Sequence, residues 1–268
     1  MTKTLDLDVL TAFAHELADA ARGETLPRFR STLAVDNKVA ADFDPVTDAD
    51  REAERVIRAL IERRYPEHGV LGEEHGVHLP EAPLRWVLDP VDGTRSFICG
   101  APTWTTLIAL ECEREPVLGV IEQPYIGERW IGTGERAWLD RGGSVQGIAT
   151  SGCERLAEAI ISTTDPRAIG YFSEAEEAAF ARLAAACRLA RFSMDAYAYA
   201  LLATGQIDLV VEAGLKHYDY AALAPVIRGA GGVITDWRGE GFDADAGGHT
   251  LAAATPQLHA EALAMLAR

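Results

Sequence analysis

Two acids three residues apart, Asp89 and Asp92, stand in the run Trp86-Val87-Leu88-Asp89-Pro90-Val91-Asp92-Gly93-Thr94-Arg95-Ser96-Phe97. The apolar triplet Trp86 to Leu88 reads as the end of a buried strand. Asp89 stops it, followed by a proline that lacks the N–H a ladder needs. Gly93-Thr94 then opens a helical turn, and the first N–H groups of a helix have no partner within it. Carboxylates are hard oxygen donors suited to Mg²⁺, and a helix start favours an anion. One short stretch thus offers a cation site and a phosphate site together. Three more acids sit at the margins of apolar segments: Glu73 after Val70-Leu71-Gly72, Asp219 beyond residues 207–212, and Asp44 before Pro45-Val46-Thr47. Taken singly, each of these three reads first as a solvated carboxylate or a helix cap.

The elements that must position these acids follow from periodicity. Leu10, Phe13, Leu17 and Ala20 fall at helical spacing in residues 6–22, with Gly23 as a stop. Residues 33–40 start a hairpin. Thr47-x-x-Asp50 is a capping signal for a helix through Arg64, which puts Val56, Ile57, Leu60 and Ile61 on one face. Val70-Leu71 is a short strand. Residues 105–111, 117–122 and 129–133 are successive strands of one sheet, separated by turn residues. Gly142-Gly143 marks a boundary between an N-terminal α+β lobe, 1–143, and a C-terminal α/β lobe, 144–268. The second lobe reads as a strand at 160–162, helices at 174–190 and 195–204, and a strand at 207–212. A helix at 219–229, a strand at 232–235 and a closing helix at 257–267 follow. Alternating strands and helices imply layers of helix and sheet.

The chain has 268 residues, 48% of them hydrophobic, enough for a large core or two fused lobes. Its 41 acidic and 25 basic residues give a formal charge of -16, which disfavours nucleic acid and anionic membranes. Cys99, Cys112, Cys153 and Cys187 form no Cys-x-x-Cys pair and read as reduced, mostly buried thiols, so a cytoplasmic location is expected. No run is apolar enough to span a bilayer, and no signal-peptide core is present. His75-x-x-His78 reads as surface histidines rather than a zinc site. Gly229-Ala-Gly231-Gly232 follows a helix rather than a strand, so it is no dinucleotide fingerprint. Trp104, Trp130, Trp138, Tyr197 and Tyr199 read as packing residues.

Residues 86–97 resemble the W-x-x-D-P-x-D-G-T-x-x-F signature of the inositol monophosphatase superfamily of metal-dependent, lithium-sensitive phosphatases. Gly72-Glu73-Glu74 resembles its upstream G-E-E motif, and Asp44-Pro-Val-Thr47-x-x-Asp50 its D-x-V-T-x-x-D stretch. Tyr218-Asp219-x-Ala221-Ala222 with Gly229-Ala-Gly231-Gly232 resembles its C-terminal W-D-x-A-A…A-G-G motif. The four motifs occur in the superfamily's order and span most of the chain. The resemblance implies an α+β fold, a five-layer αβαβα sandwich of the inositol monophosphatase and fructose-1,6-bisphosphatase type, as a homodimer. It implies two or three Mg²⁺ per active site, with Li⁺ as an inhibitor. Glu73, Asp89 and the Val91 carbonyl would hold one ion, Asp89, Asp92 and Asp219 a second, and Asp44 would help a third. Thr94, bonded to Asp44, would join Glu73 in orienting and deprotonating a metal-activated water for in-line attack on phosphorus. Gly93 and Thr94 N–H groups would bind the phosphate. Lys38 lies either near the phosphate or on the surface.

A finer resemblance, to the histidinol-phosphatase branch, rests on Arg95-Ser96-Phe97-Ile98, Gly100-x-Pro102-x-Trp104-x-Thr106-Leu107-Ile108, Asp195-Ala-Tyr197-Ala-Tyr199-Ala-Leu-Leu and residues 207–216. It implies a small-molecule phosphate ester as partner, L-histidinol phosphate in histidine biosynthesis, with inositol or sugar monophosphates as the alternative. A non-catalytic module binding metal and phosphate is a more distant alternative. Histidinol phosphate carries an ammonium and an imidazole, which acids in the cleft would pair with. Asp195 and Glu212 are the acids expected there. Asp195 reads equally as a helix N-cap, and Arg95 equally as a substrate contact or a surface ion pair. Tyr218 and Thr105 depart from the superfamily's usual Trp and Gly.

Overall fold

The structure is a computed structural model that describes residues 5–32, 35–37, 45–168, 170–241 and 247–267. In chain order its elements are α1 (Leu7–Thr25), β1 (Val35–Asn37), β2 (Pro45–Thr47), α2 (Asp48–Arg64), β3 (Gly69–Gly72), β4 (Gly76–His78), β5 (Leu84–Asp92), α3 (Thr94–Cys99), β6 (Thr105–Cys112), β7 (Glu115–Gln123) and β8 (Glu128–Gly132). They continue with β9 (Ala137–Arg141), β10 (Ser144–Gly147), β11 (Ile160–Thr163), α4 (Glu174–Ala186), β12 (Leu189–Phe192), α5 (Ala196–Ala203), β13 (Leu209–Glu212), α6 (His217–Tyr220), α7 (Leu223–Gly229), β14 (Val233–Thr235), β15 (Thr250–Ala253) and α8 (Pro256–Leu266).

Strand periodicity builds the layers. Successive strand residues point to opposite faces. Trp86 and Leu88 therefore pack with Leu10, Phe13 and Leu17 of α1 and Ile57 and Ile61 of α2. Val87, between them, packs with α5 and α7 on the other side. Ile108 and Leu110 against Leu107 and Ala109 repeat the split one strand over. The sheet so covered runs β10-β9-β8-β7-β6-β5-β3-β4 among the described residues. A second sheet, β12-β11-β13-β15-β14, alternates likewise. Val210 and Ala252 face α5 and α7, while Leu209, Val211 and Ala253 face Phe180 of α4 and Leu258 of α8. The order is α1/α2, sheet, α5–α7, sheet, α4/α8: the expected αβαβα sandwich of an α+β protein. The central helices lie very close to the first sheet. A Cβ on Gly119 or Gly132 would overlap the backbone of Ala222 or of Pro225 and Val226, so the strands carry no side chain there.

Five expectations change. Helix α4 ends at Ala186, not 190, and Leu189–Phe192 pairs parallel to β11. The alanine run favours helix, but the open edge of β11 offers ladder bonds that outweigh it. The helix read at 219–229 is two, α6 and α7. The strand read as ending at Leu88 runs through Pro90 to Asp92 across a register shift. Finally, Gly142 and Gly143, with φ of 62° and 90°, turn the β9–β10 hairpin inside the first sheet. A lobe boundary at 143/144 would cut that hairpin; we propose it after Gly147, where the chain leaves the sheet. The cysteines are less buried than expected, since Cys99 is exposed and the other three are half-buried.

Candidate active site

The register shift in β5 is what makes the acid pair. Asp89 pairs with Leu107 and Asp92 with Thr105, so three steps on β5 oppose two on β6. In a regular strand, residues three apart face opposite sides. The one extra residue cancels that and lets both carboxylates point the same way. Pro90 sits within the bulge, and its carbonyl accepts from the Thr106 hydroxyl at 2.7 Å. Asp219, carried by α6, completes a cluster in which oxygens of Asp89, Asp92 and Asp219 all lie within 4.8 Å of one another.

Burial and mutual repulsion act together on these groups. Asp89, 2% exposed, has its carboxyl held well above the usual range, first by burial and then by the charges of Glu73, Asp92 and Asp219. Asp92 is raised too, by burial and by Asp195 and Asp219. Its Oδ2 accepts the Ala196 N–H at 2.7 Å, capping α5 from the other side of the cleft, and the Thr105 hydroxyl lies 3.5 Å away. Thr105, read as a departure from the superfamily pattern, thus lies beside a member of the cluster. Three carboxylates whose oxygens converge this closely, one of them buried, are the donor set of a hard divalent cation.

Gly93 adopts φ 77°, and a Cβ there would come within 2.8 Å of Asp195 Oδ2, so both the turn and the neighbour require glycine. Helix α3 begins after it, resting on a cluster of Phe29, Val91, Phe97 and Trp104. The Thr94 hydroxyl lies 3.1 Å from the Val91 carbonyl and 3.5 Å from Asp50 Oδ1. Asp44 and Lys38 lie outside the described residues, so the expected Thr94–Asp44 bond falls there as well. Asp50 is the acid seen beside Thr94. The sequence reading used it only as a cap, which it also is: its Oδ2 accepts the Thr47 N–H at 2.9 Å and the Thr47 hydroxyl at 2.5 Å. Burial pushes its carboxyl up to about 6. The signal was available in the motif, where Asp50 closes the D-x-V-T-x-x-D stretch.

These groups open into a cavity of about 430 Å³ lined also by Glu73, Arg95, Thr164, Tyr171, Asp195, Tyr199, Glu212, Lys216 and Tyr218. Asp195 stands at the N-cap position of α5 but makes no side-chain cap bond. Its Oδ2 accepts from Ser96 Oγ at 2.9 Å, and its φ is 49°. Glu212, 3% exposed at the end of β13, accepts from the Thr164 N–H at 2.7 Å, the Thr164 hydroxyl at 2.8 Å and the Thr163 hydroxyl at 3.1 Å. Burial still lifts it to about 8, against those hydrogen bonds. The Arg95 guanidinium lies 5.1 Å from the centre of the Tyr171 ring, a cation–π distance. Thr164 and Tyr171 were missed in the sequence; no periodicity or motif marks them. His75 and His78 are both exposed.

A sequence model of the Inositol monophosphatase family matches residues 6–268. The chain belongs to the inositol monophosphatase family. It is a phosphatase of that metal-dependent family. It is 42% identical over 271 residues to the bifunctional phosphatase IMPL2, chloroplastic, of Arabidopsis thaliana, covering 97% of this chain and 76% of that protein. It is 35% identical to a histidinol-phosphatase of Streptomyces coelicolor, covering 94% and 95% of the two chains. The solved structure of an inositol monophosphatase from Zymomonas mobilis superposes with a TM-score of 0.87 at 39% identity, covering 98% of this chain and all of that one. Among the described residues, no helix is long and apolar enough to cross a membrane.

Proposed function

We propose that this family member is a Mg²⁺-dependent phosphomonoester hydrolase that releases phosphate from L-histidinol phosphate. Asp89, Asp92, Asp219, Glu73 and the Val91 carbonyl would hold the ions. Bound there, Mg²⁺ supplies positive charge to the phosphate and to the leaving oxygen. Glu73 and Thr94 orient the attacking water and take its proton, with Asp50 holding the Thr94 hydroxyl. The N–H groups of Gly93 and Thr94 hold the phosphate.

The substrate reading rests on one observation: Asp195 and Glu212, two acids outside the cluster of Asp89, Asp92 and Asp219, line the same cavity. An acid-lined wall suits a leaving alcohol that carries an ammonium and an imidazole better than a neutral polyol. The 35% identity to a histidinol-phosphatase supports it. The second reading, an inositol monophosphatase, is favoured by the 39% identity of the Zymomonas protein. Phosphate release from L-histidinol phosphate and from myo-inositol 1-phosphate, each with Mg²⁺, separates them. A clearly higher kcat/KM on the inositol ester overturns the first.

A further inference from the structure

Glu54 has no part in the chemistry described above, yet it is wholly buried beside it. Its side chain is 0% exposed in the second turn of α2. The carboxylate faces the turn Gly72-Glu73-Glu74-His75. Oε2 accepts the Glu74 N–H at 2.7 Å and Oε1 the His75 N–H at 3.1 Å. Arg58 Nε, one turn on, donates to Oε1 at 2.6 Å and half-neutralises it where water cannot. The fit leaves no slack, since a Cβ on Gly72 would overlap the Glu54 carboxylate. From the other side the Glu73 N–H donates to the Leu88 carbonyl at 3.2 Å, immediately before Asp89. The residue between these anchors is Glu73. Asp50 and Glu54 lie four apart on one face of α2, so the same helix presents one acid to Thr94 and the other to the Glu73 turn.

We infer that Glu54 is a positioning residue: it fixes the Glu73 carboxylate relative to Asp89 and so sets the metal affinity and the placing of the attacking water. This rests on the reading of Glu73 as ligand and base. Backbone N–H groups held by a buried carboxylate stay put at little entropic cost, whereas a turn free to shift by an ångström would misplace Glu73. A purely structural Glu54 would affect melting alone.

The test compares wild type with Glu54→Gln, Glu54→Asp and Glu73→Gln. Gln keeps the shape but turns an N–H₂ toward a donor; Asp keeps the charge but withdraws it by one methylene. Three readouts are taken: Mg²⁺ binding by calorimetry, steady-state kinetics on L-histidinol phosphate and p-nitrophenyl phosphate across Mg²⁺ concentrations, and Tm. Glu54→Gln should weaken Mg²⁺ binding and lower kcat by about tenfold each, with substrate KM within about twofold, as expected for a partner that orients a ligand. Glu54→Asp should show the same pattern, and it decides the matter if the Gln variant does not fold. If Glu73→Gln is inactive while a folded Glu54 variant keeps wild-type Mg²⁺ affinity and kcat, the inference is wrong, whatever its Tm. If Glu73→Gln itself keeps full activity and Mg²⁺ affinity, the reading of Glu73 fails and takes the inference with it.

Discussion

The cavity has two ends that hold carboxylates in opposite ways. At one end Asp89, Asp92 and Asp219 crowd together, and the neighbours that act on Asp89 most are other acids. At the other end Glu212 receives three hydrogen bonds from Thr163 and Thr164, and Asp195 one from Ser96. The first arrangement is unfavourable until a cation arrives, because buried like charges cannot all ionise. The second is assembled in advance and uses neutral donors, leaving lone pairs to face a ligand. A set of acids that repel one another marks where the protein expects mobile charge. A set already hydrogen-bonded marks where it expects a shape.

The largest effect that would separate the two ends is at Asp92. Asp92→Asn keeps an oxygen for the Ala196 N–H and should leave the fold and Tm near wild type. Loss of the charge should cut kcat by about a thousandfold or more, the scale of several kcal/mol of transition-state stabilisation. Unchanged turnover in a folded variant would remove the cation assignment for the crowded end altogether. Thr94→Val comes next: removing the hydroxyl beside Asp50 should lower kcat about a hundredfold, the usual worth of a positioned proton-transfer group. Mg²⁺ binding by calorimetry should hardly change, so a parallel loss of metal would mean that Thr94 acts through the ligands.

The two ends also differ in how far they could be read from the sequence. The crowded end was legible because Asp89, Asp92, Gly93 and Thr94 are neighbours in the chain, and their order implies a strand, a bend and a helix start. What stayed hidden was the bulge, a single unpaired residue that shows only once β5 and β6 are in register. Asp50 was hidden differently, because its cap role gave a sufficient local reason for an acid there. The other end draws Thr164 from beyond β11, Tyr171 from a loop, Asp195 from before α5 and Glu212 from β13. Strand pairing between β11 and β13 brings Thr164 to Glu212, and no local pattern encodes it; Asp195 and Glu212 were legible through the family resemblance alone. The layers were readable for the same reason as the first end, since period-two burial is local. The strand Leu189–Phe192 was not, because its partner β11 lies elsewhere in the chain; the Gly142-Gly143 hairpin is local, and its glycine pair reads equally as a turn or as a boundary.

Substrate discrimination probes the second end with a smaller effect. Glu212→Gln can still accept from Thr164 through its one amide oxygen, with its N–H₂ turned to the Thr163 hydroxyl, but cannot balance a cation. It should raise KM for L-histidinol phosphate about tenfold, the worth of one charge-assisted hydrogen bond. With p-nitrophenyl phosphate, whose leaving group has no cation, KM should stay within about twofold on the same grounds. Equal losses on both esters would place Glu212 with the structural acids and leave the wall without a role in specificity.

The smallest effect is thermodynamic and compares the two ends through protons. Asp89, Asp92 and Glu212 all hold their protons more tightly when folded than when unfolded, Glu212 up to about 8 from an ordinary 4.5. Between those values the native state binds more protons than the unfolded chain, so their contribution to stability is highest in acid. It is lost as pH rises through that window. Chelated protein should therefore carry a growing penalty from pH 5 to pH 8. Mg²⁺, held as proposed by the ionised acids of the crowded end, should relieve their part of it, stabilising the native state in proportion to its affinity. Glu212 has no metal to relieve it and keeps its share. The gap in Tm between Mg²⁺-loaded and chelated protein, measured by calorimetry, should widen by several degrees over that range. Glu212→Gln should raise the Tm of both forms at pH 8 without closing the gap. A gap independent of pH would show that the crowded acids are already ionised without a cation, and the contrast between the two ends would disappear.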